Sequence, residues 1–151
     1  MVKTILLKVS FILLIITSVT AVSQAQVSKT FLQANPWKEN QLIAPATLAN
    51  MISNKEDVDV YNIGVVQNIK GAINVGAASE AENLEKLKGI LKTVPKNRPV
   101  VIYCGCCPMD KCPNIRPAFK VLADQKFTNV RLLDLPVNIK INWIDKGYPV
   151  E

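Results

Sequence analysis

The sequence predicts an α/β domain of three layers, a central, mostly parallel sheet with helices on both faces. Two observations carry that expectation. Pro99-Val100-Val101-Ile102-Tyr103 is a continuous apolar run without alternation, the pattern of a strand covered on both sides. Around it, short β-branched segments alternate with segments of helical period, the order in which parallel strands are joined by crossover helices. A chain of 151 residues, 49% hydrophobic and 20% charged, suits one such core and is too short for two.

The N-terminus stands apart from this fold. Lys3 and Lys8 precede an apolar run from Val9 to Val22, and Ser23-Gln24-Ala25 follows as a small-x-small cleavage pattern. Residues 1–25 read as a secretory signal peptide, since the run falls short of the roughly 20 residues that span a bilayer. The expected location is therefore periplasmic or extracellular, with no membrane attachment after cleavage. Residues 26–41 form a lead-in with Trp37 as an aromatic lid on the core edge, and residues 42–151 form the domain.

Within the domain, Pro45 suits a first helical turn, and Leu48, Met51 and Ile52 follow at helical spacing. Val58-Asp59-Val60-Tyr61-Asn62-Ile63 alternates as a strand and stops at Gly64. Ile69 to Gly76 reads as a turn into a second short strand. Leu84, Leu87, Ile90 and Leu91 share one helix face, with Ser79 as its cap, Glu80 and Glu82 in the first turn, and Pro95 beyond its end. After the central strand, Ile115, Phe119 and Leu122 define a core-facing helix that Pro113 starts at its first position. Lys126 to Leu133 is a turn into another strand, and Val137, Ile141 and Ile144 define a last helix.

Composition removes several functions. The chain has no histidine, which excludes Cys-His dyads, Ser-His-Asp triads and imidazole metal ligands. The formal charge of +6, less the two signal-peptide lysines, is spread thinly without a basic block or interleaved aromatics, so no nucleic-acid partner is expected. What remains is sulfur. All four cysteines, Cys104, Cys106, Cys107 and Cys112, lie in one loop between the apolar strand and the Ile115 helix. Ligands of open α/β sheets bind at the carboxyl ends of strands, and Cys104 occupies such an end.

In their order, four segments resemble the single-domain rhodanese family of sulfurtransferases: Ile69-Lys70-Gly71-Ala72-Ile73-Asn74-Val75; Val100-Val101-Ile102-Tyr103-Cys104; Phe127-Thr128-Asn129-Val130 with Leu132 and Leu133; and Trp143 through Gly147-Tyr148-Pro149-Val150-Glu151. The resemblance covers about residues 42–151. It implies a catalytic Cys104 that takes sulfane sulfur as a persulfide from a small sulfur-containing donor and passes it to a thiol acceptor. It further implies Arg116 as the anion-binding arginine, with Gly105, Cys106, Cys107 and Lys111 as the substrate-binding loop. A monomer is expected, with a periplasmic redox protein as a candidate partner. Two departures mark this chain: the loop from Cys104 to Arg116 is enlarged, and the first core strand ends in Asn62-Ile63-Gly64 where the family carries an acidic residue and an arginine.

The enlarged loop keeps alternatives open. Cys106, Cys107 or Cys112 could resolve a persulfide by thiol exchange. All four thiolates could hold zinc or copper, although structural zinc sites draw separated pairs from different elements. A thiol-disulfide redox module and a loop stapled by disulfides are the remaining readings, and an exported protein meets conditions in which disulfides persist.

Overall fold

The computed structural model describes residues 34–151; the signal-peptide segment and the lead-in before Ala34 lie outside the described residues. Its strands are β1 (Leu42–Ile43), β2 (Asp59–Asn62), β3 (Ile73–Asn74), β4 (Val100–Tyr103) and β5 (Val130–Leu133). Its α-helices are α1 (Pro45–Ser53), α2 (Ala81–Leu91), α3 (Ile115–Asp124) and α4 (Ile139–Asn142). Single 3-10 turns at Glu39–Gln41, Met109–Lys111 and Ile144–Lys146 complete it.

The sheet runs β1-β5-β4-β2-β3, every pair parallel, with β4 at its centre. Successive residues of a strand point to opposite faces, and each face is closed by helices. Val60, Val101, Ile43 and Leu133 meet Leu48 of α1, Ile139 of α4 and Trp143. Tyr61, Val100, Ile102 and Leu132 meet Leu87 and Leu91 of α2 and Ile115, Ala118, Phe119 and Leu122 of α3. All four β4 residues are therefore buried, which is why that strand has no polar alternation. Burying each such side chain contributes about 1.5–3 kcal/mol against the entropy of ordering the chain. Trp37 packs edge-on against Phe119, with ring centroids 5.9 Å apart, at the rim of the second face.

The boundaries of three helices differ from the sequence expectation, each for a local reason. Glu80, not Ser79, is the N-cap of α2, and Ser79 lies one residue before it with its N–H donated to the Asn114 side chain at 2.8 Å. Pro113 does not open α3; Asn114 is the N-cap and Ile115 the first helical residue, so the proline stiffens the approach instead. In α4 the buried side chains are Ile139 and Trp143, whereas Val137 and Ile141 are 43% and 45% exposed. That element is one short turn whose ends are tied by asparagines: Asn138 accepts from the Ile141 N–H, and Asn142 from the N–H groups of Val137 and Asn138. The two-residue strand β1, at the first residues of the domain, carries no readable pattern of its own.

The chain end folds back over the loop between β2 and β3. Val150 bridges Ile69 in antiparallel fashion, the Glu151 N–H donates to the Asn68 carbonyl, and the Trp143 indole donates to the Pro149 carbonyl at 3.0 Å. Among the described residues no helix is long and apolar enough to cross a membrane.

Candidate active site

Cys104 follows directly on β4 and is 2% exposed. Two glycines allow it to sit there. Gly64, after β2, lies so close that a Cβ on it would stand 2.8 Å from both the carbonyl oxygen and the Sγ of Cys104. Gly105 has φ +78° in the left-handed region, and a Cβ on it would meet the Ile139 side chain at 2.8 Å. The Ile139 N–H donates to the Gly105 carbonyl at 2.9 Å, fixing the turn from the α4 side. The loop thus turns sharply between two elements, and the sulfurs of Cys104 and Cys106 come to the same side of it.

The sulfurs form a connected group. Cys104 Sγ is 3.2 Å from Cys106 Sγ, and Cys106 Sγ is 3.4 Å from Cys107 Sγ. Cys112, buried at the far end of the loop, returns to the same place: the sulfurs of Cys104, Cys106 and Cys112 lie within 4.8 Å of one another. Cys104 and Cys112 are buried and Cys106 is exposed, so the group runs from the core to the surface. All four cysteines are free thiols. The three converging sulfurs could hold a soft metal ion in a three-coordinate thiolate set; they are one ligand short of the closed tetrahedral shell of structural zinc.

One site residue was not among the sequence candidates. Asn114 is 4% exposed, and its side chain does not cap the helix it precedes. Its Oδ1 accepts the Ser79 N–H at 2.8 Å, and its Nδ2 donates to Cys104 Sγ at 3.2 Å. Because the Ser79 N–H can only donate, the amide orientation is fixed and the NH2 group must face sulfur. The signal available in the sequence was an asparagine at a helix N-cap, which ordinarily means capping. Its partner Ser79 lies too far along the chain to be anticipated.

These contacts decide which sulfur carries the charge. The Cys104 thiol is lowered to about 5, first by the hydrogen bond from Cys112, against the cost of burial, and then by the Asn114 amide and the Cys106 N–H and thiol. Cys106 is pushed up to about 12 by burial and by the neighbouring Cys104 and Cys107 sulfurs. Cys112 is also raised, above all because it donates to Cys104. At neutral pH the group therefore holds one thiolate, on Cys104, with two protonated thiols beside it. Thiolate is the nucleophilic form of cysteine. Tyr103, the residue before it, is not an acid at this pH: burial pushes it up to about 12, and its hydroxyl accepts the Ile69 N–H at 2.9 Å on the opposite face.

The remaining candidates surround this centre differently. The Arg116 guanidinium stacks over Trp37, 5.5 Å from the ring centroid, and donates to the Asp110 carbonyl at 3.1 Å and to Asn35 Oδ1 at 2.7 Å. It thereby braces the enlarged loop against the start of the described chain. Lys111 and Asp110 are exposed on the 3-10 turn. Gly105 and Cys106 adjoin Cys104, and Cys107 is one sulfur further out. A shallow apolar cleft lined by Met51, Val58, Pro99 and Asn129 lies at the amino ends of the strands, remote from the cysteines.

No protein-family model and no curated sequence matches the chain. Solved structures do. The thiosulfate sulfurtransferase of Pseudomonas aeruginosa superposes over 73% of this chain and 20% of its own, with a TM-score of 0.53 and 16% identity. EanB in complex with hercynine superposes over 74% and 27%, with 0.52 and 17%. The single-domain sulfurtransferase RDL2 of Saccharomyces cerevisiae superposes over 71% and 90%, with 0.52 and 13%. This chain spans only 20% and 27% of the first two proteins, and most of the third. The fold is that of a rhodanese-like sulfurtransferase, as the four sequence segments implied.

Proposed function

We propose that the protein is an exported sulfurtransferase that carries sulfane sulfur as a persulfide on Cys104. The observation that supports this most is the placing of a hydrogen-bonded thiolate at the carboxyl end of the central strand of a rhodanese-like sheet. In the loading step the Cys104 thiolate attacks the sulfane sulfur of a donor. The new bond joins Cys104 Sγ to that sulfur, the sulfur–donor bond breaks, and the electron pair leaves with the donor remnant. In the second step a thiol acceptor takes the outer sulfur and Cys104 leaves as thiolate. A low-pKa thiolate is a good leaving group, so the same contacts serve both steps. Asn114, Cys112 and the Cys106 N–H hold the charge in each, with no histidine required.

The donor expected is small and anionic, since it must pass into a loop whose braces are Arg116 and backbone amides. Incubation with thiosulfate or inorganic polysulfide under nitrogen, followed by intact mass and cyanide discharge, tests the reading. Reaction with the donor should be visible as a gain of about 32 Da and thiocyanate on cyanide treatment, or as hydrosulfide released from the loaded protein, and Cys104→Ser should abolish every one of these signals. A Cys104→Ser protein that takes up sulfur as the wild type does would show that the carrier is elsewhere.

A further inference from the structure

We propose that Cys106 discharges the Cys104 persulfide as hydrosulfide, leaving a Cys104–Cys106 disulfide that an external dithiol then reduces. This rests on the sulfur-carrier reading and gives it a direction: reductive release of sulfane sulfur. The geometry points to it in two ways. Cys106 Sγ is 3.2 Å from Cys104 Sγ, so it contacts the inner sulfur of a persulfide rather than the outer one. Thiol exchange is an in-line displacement, so the step requires the outer sulfur to lie across Cys104 Sγ from Cys106. Finally, Cys106 is exposed while Cys112, the other sulfur in reach, is buried, so only a bridge to Cys106 presents a sulfur to a reductant.

The atoms balance without an added oxidant. Cys104–S–S⁻ and Cys106–SH give Cys104–S–S–Cys106 and HS⁻. The bond between Cys104 Sγ and the sulfane sulfur breaks, and a bond between the two Sγ atoms forms. The sulfane sulfur is reduced, and the two cysteine sulfurs are oxidised. A dithiol next attacks the exposed Cys106 sulfur, Cys104 departs as the stabilised thiolate, and the dithiol's second sulfur frees Cys106, so the dithiol leaves oxidised. The turn at Gly105 makes the short bridge available, and a bridge that closes so small a loop is readily reduced.

The test treats wild type, Cys106→Ser and Cys104→Ser with inorganic polysulfide under nitrogen, removes the excess, alkylates free thiols, and reads intact mass and peptide maps. Before alkylation wild type should be lighter by about 2 Da, with Cys104 and Cys106 linked in the peptide map, whereas unalkylated Cys106→Ser should hold about 32 Da on Cys104, dischargeable by cyanide to thiocyanate. Cys106 is exposed, so its replacement leaves the core intact. A wild type that keeps a stable persulfide with its thiols free, or that links Cys104 to Cys112, would overturn this inference and leave the carrier reading standing. A gain of about 32 Da on Cys104→Ser, or neither retained sulfur nor a Cys104–Cys106 link in any of the three proteins, would overturn both.

Discussion

Two buried asparagines stand at the carboxyl end of the sheet, and they are used in opposite ways. Asn62, at the end of β2, is fully buried and spends its amide on the chain around it: Oδ1 accepts the Gly64 N–H, and Nδ2 donates to the Val66 carbonyl at 2.8 Å and to Asn68 Oδ1 at 2.9 Å. Asn114 fixes one end on backbone and aims the other at a sulfur. Buried polar groups must be satisfied, but only an amide directed at an ionisable atom can choose that atom's charge. Asn62 therefore shapes the turn that presses Gly64 against Cys104, and Asn114 holds the thiolate. Where rhodaneses place an acidic residue and an arginine after the first strand, this chain has a scaffold.

The largest expected effect concerns the charge itself. Cys104 is lowered from 9.0 to about 5 in the folded protein, so folding stabilises its deprotonated form. The sign follows: the unfolded chain binds more protons between those values, so stability is fully present above about pH 9 and falls as pH drops toward 5. The slope is roughly 1.4 kcal/mol per pH unit. Cys106 and Cys112 are raised and stay protonated throughout that window, and no histidine titrates in it. Denaturant midpoints measured from pH 5.5 to 8.5 should rise with pH in wild type and be nearly flat in Cys104→Ser. A slope that survives the serine substitution would mean that another group carries the charge.

A second substitution acts on the scaffold alone. Asn62→Ala leaves the buried Gly64 N–H and the Val66 carbonyl without their side-chain partner, which costs about 2 kcal/mol or more. Urea unfolding should show that loss, while the pH at which Cys104 becomes reactive stays near the wild-type value. A large change in that pH with unchanged stability would contradict the division of labour.

How much of this was legible in the sequence depends on distance along the chain. The central strand, β2, β5 and helices α1 to α3 each bury a face long enough to leave a pattern, and each was readable from its apolar spacing. β1 and α4 were not: β1 has no period, and the buried face of α4 is set by its asparagine ties and by the fit of Ile139 against Gly105. The position of Cys104 was readable from the strand before it. The sorting of the other cysteines was not, because burial of Cys112 and exposure of Cys106 arise only when the enlarged loop closes on α3. Asn114 was hidden for the same reason, since its two partners come from β4's end and from the segment preceding α2.

Asn114→Ala is the smallest perturbation and the most specific. It removes a donor to a charged sulfur, an interaction worth roughly 1.5–3 kcal/mol, and so should move thiolate formation on Cys104 upward by about one to two pH units. The loss in folding stability should be smaller than for Asn62→Ala, because only the Ser79 N–H is left without its acceptor and that turn lies near solvent. The measurement is the rate of Cys104 alkylation by iodoacetamide against pH, with the labelled site assigned by peptide mapping. A merely structural asparagine would lower the melting temperature and leave that profile in place. Superimposable profiles for Asn114→Ala and wild type would therefore remove Asn114 from the site and leave Cys112 and the Cys106 N–H as the groups that hold the charge.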